Sequence, residues 1–69
     1  MIEVFKTSVK EQGQAEMILS TLVNSFPSIK INFDLQDCDH VLRVEGREFS
    51  IIEIINLLHA NGQQCEILI

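Results

Sequence analysis

Between Ala15 and Phe26 the apolar residues Ala15, Ile18, Leu19, Leu22, Val23 and Phe26 fall at offsets 0, 3, 4, 7, 8 and 11. That spacing lays a continuous stripe along one face of a helix, which predicts a helix from about Glu11 to Phe26. Pro27 ends it, because proline has no N–H to donate and its ring disfavours helical geometry at the residue before it. Ile29, Ile31, Phe33 and Leu35 then alternate with Lys30, Asn32, Asp34 and Gln36, the period-2 signature of a strand with one buried and one wet face. Asp37-Cys38-Asp39-His40 reads as a polar turn, after which Val41 to Glu45 returns as the partner strand of a hairpin.

The two ends of the chain complete the pattern. Residues 2 to 9 carry Ile2, Val4, Phe5, Thr7 and Val9 and predict a leading strand. Ser50-Ile51-Ile52-Glu53 is a capping box, in which the serine and glutamate side chains each satisfy a free backbone N–H at a helix start. A second helix follows, with Ile51, Ile54, Ile55 and Leu58 as its inner stripe, Ile52 and Leu57 on the flanks, and Asn61-Gly62 as a left-handed stop. Cys65 to Ile69 is the closing strand. Strand, helix, strand, strand, helix, strand is the order of a split βαβ unit, so the fold expected is α+β. Right-handed crossovers make it a ferredoxin-like βαββαβ sandwich: a four-stranded antiparallel sheet in the order 4-1-3-2 with both helices on one face. This layout brings the first loop, the hairpin turn and the start of the last strand to one end of the sheet.

Composition narrows the function. A chain of 69 residues makes one domain, spanning 1–69, and 46% hydrophobic residues suffice for a core without disulfide or metal staples. The formal charge of -5 repels phosphate backbones and anionic lipid, so neither nucleic acid nor membrane is an expected partner. Met1 to Lys6 lacks the basic and then apolar pattern of a leader, and no apolar stretch is long enough to span a membrane. Cys38 and Cys65 show no CxxC spacing, which fits a reduced, cytoplasmic protein. On edge strands spaced by about 4.8 Å they stand roughly 14 Å apart, beyond the Cα separation of about 7 Å that a disulfide tolerates.

Over essentially its whole length the chain resembles the heavy-metal-associated domains of small copper chaperones and metal-transporting ATPases. The resemblance rests on Glu3-Val4-Phe5-Lys6-Thr7-Ser8-Val9, on the spacing of Gly13, Ile18 and Leu22, on the strand from Ile29 to Phe33, on Val44-Glu45-Gly46 and on Asn61 to Leu68. In that family an M-x-C-x-x-C motif in the first loop holds a soft ion at the start of the first helix. Here Val9 takes the methionine position, Glu11 that of the first cysteine and Gln14 that of the second. One carboxylate and one amide oxygen suit at best a weak hard-cation site, so neither metal nor cofactor is expected. Glu11 and Glu16 are read as first-turn negative charge that stabilises the helix, and Val9 as a core residue.

The remaining candidates are weaker. Asp37, Cys38, Asp39 and His40 are read as a turn whose aspartates bond their own backbone while their side chains point apart into water. His59 and the single charges Arg43 and Arg47 are read as structural or solvated. Acylphosphatases share this strand order but need an arginine in the first loop, where this chain has only Lys10. No catalytic residue is therefore expected. The reading that follows is a non-catalytic interaction module, monomeric or weakly dimeric, that meets another protein through its first loop or an edge strand. Lys10, Glu11, Gln12, Gln14, Asp37, Asp39 and His40 are its candidate partner-binding residues. Two alternatives stand beside it: residual metal binding through Cys38, His40 or Cys65, and amino-acid sensing of the ACT type.

Overall fold

The computed structural model describes residues 1–68. Its elements follow the predicted order: β1 Ile2–Thr7, α1 Gln12–Ser25, β2 Lys30–Asp34, β3 Val41–Glu45, α2 Ile51–Ala60 and β4 Cys65–Ile67. The four strands form one antiparallel sheet in the order β2-β3-β1-β4, which is the expected 4-1-3-2 read from the opposite edge.

Four strand boundaries differ from expectation, one of them the end of β2, which stops at Asp34 because Leu35 and Gln36 enter the turn that the Asp34 carboxylate holds. The leading strand ends at Thr7 rather than Val9, because the chain turns there to bond the hairpin loop. β2 begins at Lys30, since the Ile29 N–H is turned back to the Phe26 carbonyl at 3.2 Å. The closing strand is assigned only through Ile67, and Ile69, the last residue of the predicted strand, lies outside the described residues.

A single apolar cluster joins one face of the sheet to both helices. Phe5, Leu42 and Val44 come from the strands, Ile18 and Leu22 from α1, and Ile54 and Leu58 from α2, all fully buried. Each such side chain contributes about 1.5–3 kcal/mol relative to exposure. The stripe of α1 is narrower than its sequence pattern: Ala15, Ile18 and Leu22 are buried, whereas Val23, at the margin of the arc, is 40% exposed. Ile52 on α2 likewise faces water.

Helix ends follow local chemistry. Ser50 caps α2 by accepting the Glu53 N–H at 3.2 Å, the serine half of the predicted box. At the other end Gly62 adopts φ 77°, its N–H bonding His59 at 3.0 Å and the Gln63 N–H bonding Leu58 at 3.0 Å. This paired closure is the Schellman arrangement, and it satisfies carbonyls the helix would otherwise leave open. No helix among the described residues is long and apolar enough to cross a membrane.

The hydrogen-bond phase of the sheet can be fixed from its ends. Gly46 N–H donates to the Met1 carbonyl at 3.0 Å, so Gly46, Val44 and Leu42 bond toward β1. Val41, Arg43 and Glu45 must then bond toward β2, because successive residues of a strand turn their N–H and C=O to opposite sides. On β2 the residues paired with them are Asp34, Asn32 and Lys30. The backbone groups of Ile31 and Phe33 therefore point outward from the sheet edge.

Two glycines test the packing in opposite directions. A Cβ at Gly46 would meet Ile29 Cγ2 at 2.9 Å, whereas one at Gly13, inside α1, would meet nothing within 4 Å. G46A should destabilise by about 1–3 kcal/mol, and G13A should stabilise by about 0.5–1 kcal/mol through helix propensity. Urea midpoints at unchanged slope check both.

Candidate functional site

The loop end of the sheet is tied together at Thr7 and Ser8. Thr7, the buried polar residue among those described, donates its Oγ1 hydrogen to the His40 carbonyl at 2.6 Å and its N–H to the Asp39 carbonyl at 3.1 Å. The same oxygen accepts the Val9 N–H at 3.2 Å. Ser8 reaches the other way: its N–H bonds the Gln64 carbonyl at 3.2 Å and its Oγ donates to Gln63 Oε1 at 2.7 Å. Gln64 N–H returns a bond to Ser8 Oγ at 2.8 Å. Val9, wholly buried, then anchors the first loop in the core.

Beyond that anchor the candidate residues divide. Lys10, Glu11 and Gln12 are exposed and Gln14 is half-buried. Gln12 turns toward β2, where it lines a groove of about 360 Å³ with Ala15, Glu16, Leu19, Phe33 and Leu35 among others. Glu11 is the N-cap of α1 with an extended backbone, but its side chain makes no capping bond. The first turn holds no acidic residue. Glu16 falls past it, so the expected pairing of Glu11 and Glu16 as first-turn charge is corrected: neither stands inside that turn.

Asp39 and His40 are brought to Thr7 by the hairpin, and Asp37 is joined to them within the turn. Asp37 bonds its own backbone as expected, its Oδ1 accepting the Asp39 N–H at 2.9 Å, but Asp39 does not; the second such bond comes from Asp34, whose Oδ1 accepts the N–H of Gln36 and Asp37 at 3.2 and 3.3 Å. The side chains of Asp37, Cys38 and Asp39 do not point apart. One ligand atom each from Asp37, Cys38 and Asp39 lies within 4.8 Å of the others, because the tight turn curls three consecutive side chains onto one side. Lys6 Nζ stands 3.9 Å from the Asp39 carboxylate, an exposed pair worth less than about 1 kcal/mol.

His40 holds φ 47°, a left-handed conformation that costs a non-glycine residue about 1–2 kcal/mol. That turn puts both Asp39 and His40 opposite Thr7, as in a β-bulge. Its Nδ1 is buried without a hydrogen-bond partner. The thiols also separate: Cys38 is exposed and Cys65 buried, both free. Burial, and then the charge of Glu66, push the Cys65 thiol up to about 11. It stays protonated at neutral pH and is a poor ligand or nucleophile. His59 is exposed on the last turn of α2, at a shallow hollow it shares with Lys6, Glu66 and their neighbours.

Thr7, Ser8, Gln63 and Gln64, which set the geometry of this end, were not among the residues singled out by sequence. Thr7 reads there as an ordinary strand former, and nothing local marks a partner that lies 33 residues away. No protein-family model and no curated protein matches this chain.

Replacing His40 tests the bulge. H40G should be more stable than H40A by about 1 kcal/mol, since only glycine adopts the left-handed conformation freely; chemical denaturation reads the difference. Alkylation separates the thiols: in the native chain iodoacetamide should modify Cys38 alone, with Cys65 reacting only on unfolding, as read by intact mass. The raised thiol also sets a pH window. Between the ordinary 9.0 and about 11 the unfolded chain has lost the proton that the folded chain retains. Stability contributed by Cys65 is therefore full below pH 9 and should fall as pH rises through that window.

Proposed function

We propose that the chain is a non-catalytic protein-interaction module on a ferredoxin-like, heavy-metal-associated-like scaffold, meeting its partner through the first loop and the adjoining hairpin turn. The observation that carries this reading is the fixed geometry of the loop end. Bonds from Thr7 and Ser8 hold three loops together, yet the side chains displayed beyond Val9 are a lysine, carboxylates and amides. A fixed backbone bearing such groups is suited to hydrogen-bonding another protein, because little ordering entropy remains to oppose association. Glu11 and Gln14, at the positions where the resembling family has thiols, offer oxygen donors that favour hard cations weakly and soft ions hardly at all. Lys10, a mobile point charge, lacks the rigid fork with which an arginine grips a phosphate. Two unpaired cysteines suit a reducing, cytoplasmic setting.

The convergence of Asp37, Cys38 and Asp39 favours a second reading, residual metal binding at the hairpin tip. One experiment weighs both. Cu(I) and Zn(II) are titrated into the reduced chain while its amide spectrum is followed. The interaction reading expects no saturable binding at micromolar ion. Tight binding that moves the first-loop amides would overturn it, and binding that moves the amides of residues 37 to 39 and is lost in C38A would establish the second. The partner surface is tested separately with a photo-crosslinker at Gln14. Capture of a specific protein should weaken about tenfold or more when Lys10, Glu11 and Asp37 are charge-reversed together; unchanged capture excludes the loop face.

A further inference from the structure

The free edge of β2 is complementary to itself. Its outward-facing backbone groups belong to Ile31 and Phe33, as the phase of the sheet requires. An antiparallel strand that pairs residue 31 of one copy with residue 33 of another is centred on Asn32. Every outward N–H and C=O of both residues is then used on both copies. The same register sets Lys30 of one copy against Asp34 of the other, twice by symmetry, with the two Asn32 carboxamides face to face between them. Lys30, Asn32 and Asp34 are all exposed on the outer face of the sheet, and although Asp34 Oδ1 accepts two N–H groups of the turn, its second carboxylate oxygen is left for the Lys30 of a second chain. On the inner face Ile31 and Phe33, both half-buried at the rim of the core, become direct cross-strand neighbours. The groove between α1 and β2, about 360 Å³, leaves room beside Phe33 for the side chain that arrives there.

The other free edge has the opposite character. In β4 the Leu68 N–H bonds Val4 at 2.9 Å, so Cys65 and Ile67 carry the outward groups. The equivalent symmetric pairing is centred on Glu66 and would bring two carboxylates together. That strand is also shorter, three residues against five.

We propose that β2 is a homodimer interface, two copies joining edge to edge into one continuous eight-stranded sheet through the 31-to-33 register. This interface adjoins the loop face, since Gln12 lines the groove beside Phe33, but its backbone pairing uses none of the first-loop residues. Each protomer carries -5, so the dimer forms against net repulsion and populates only at high concentration.

The test uses the intact reduced chain at concentrations from about 10 µM to about 1 mM. Sedimentation equilibrium should show a reversible monomer to dimer transition in that range. Over the same range the amides of Ile31 and Phe33 should gain protection from hydrogen exchange, while those of Lys30, Asn32 and Asp34 are protected throughout by their bonds to β3. K30D sets like charges against each other twice and should weaken the dimer about tenfold or more, whereas K30R, which keeps the charge opposite Asp34, should leave it within about twofold. Exclusively monomeric sedimentation would overturn the proposal. So would a dimer in which the Ile31 and Phe33 amides gain no protection, or one that K30D leaves as tight as before.

Discussion

The arrangement of the loop end depends on one buried hydroxyl. Thr7 Oγ1 donates to the hairpin through the His40 carbonyl and accepts from the first loop through the Val9 N–H, so a single atom joins two segments distant in sequence. Without it the buried Val9 N–H would be left unpaired, at about 1–3 kcal/mol, and the half-buried His40 carbonyl would lose its partner at a smaller cost. A hydroxyl is the smallest side chain that donates and accepts at once. The strained backbone of His40 is held by the same contact, because the left-handed turn is what aims that carbonyl at Thr7. Strain of this size persists only where the surroundings over-determine it, and here the surroundings are two strands, a hydroxyl and the core beneath Val9.

Much of the fold was legible because its determinants are local and periodic. The alternation through Lys30 to Asp34, the Ser50 cap and Gly62 each carry their meaning within a few residues and serve the roles their chemistry implies, although the alternating pattern overruns the strand by one residue at its start and two at its end. What was not legible depends on position in three dimensions. The stripe of α1 includes Val23 by spacing, yet burial depends on how wide an arc the sheet covers, and that arc stops short of it. Glu11 looks like first-turn charge until the helix start is placed one residue later. The convergence of Asp37, Cys38 and Asp39 follows from the torsions of a tight turn, which residue types constrain only loosely. Thr7 is the clearest case, since its significance lies wholly in partners that the chain brings to it from elsewhere.

The candidate site shows how a scaffold and its chemistry separate. Val9 is buried and fixes the loop whatever its neighbours do, while Lys10, Glu11 and Gln12 project into water and contribute little to folding. Exposed positions on a fixed loop exchange donors at small cost in stability, so the groups displayed there can change without changing the fold. Cys65 marks the opposite limit. It lies at this end of the sheet, but burial keeps it protonated and treats it as a small apolar filler.

The same separation applies to the two edges of the sheet. An open strand is a template for any chain that matches it, and natural sheets blunt such edges with charge. Charge blunts an edge against itself only when like signs meet on pairing, which depends on the symmetry centre and not on the number of charged residues. β4 has its carboxylate at that centre. β2 has asparagine there, with a cation and an anion at equal distances on either side, so the charges along that edge would meet with opposite sign in the proposed pairing.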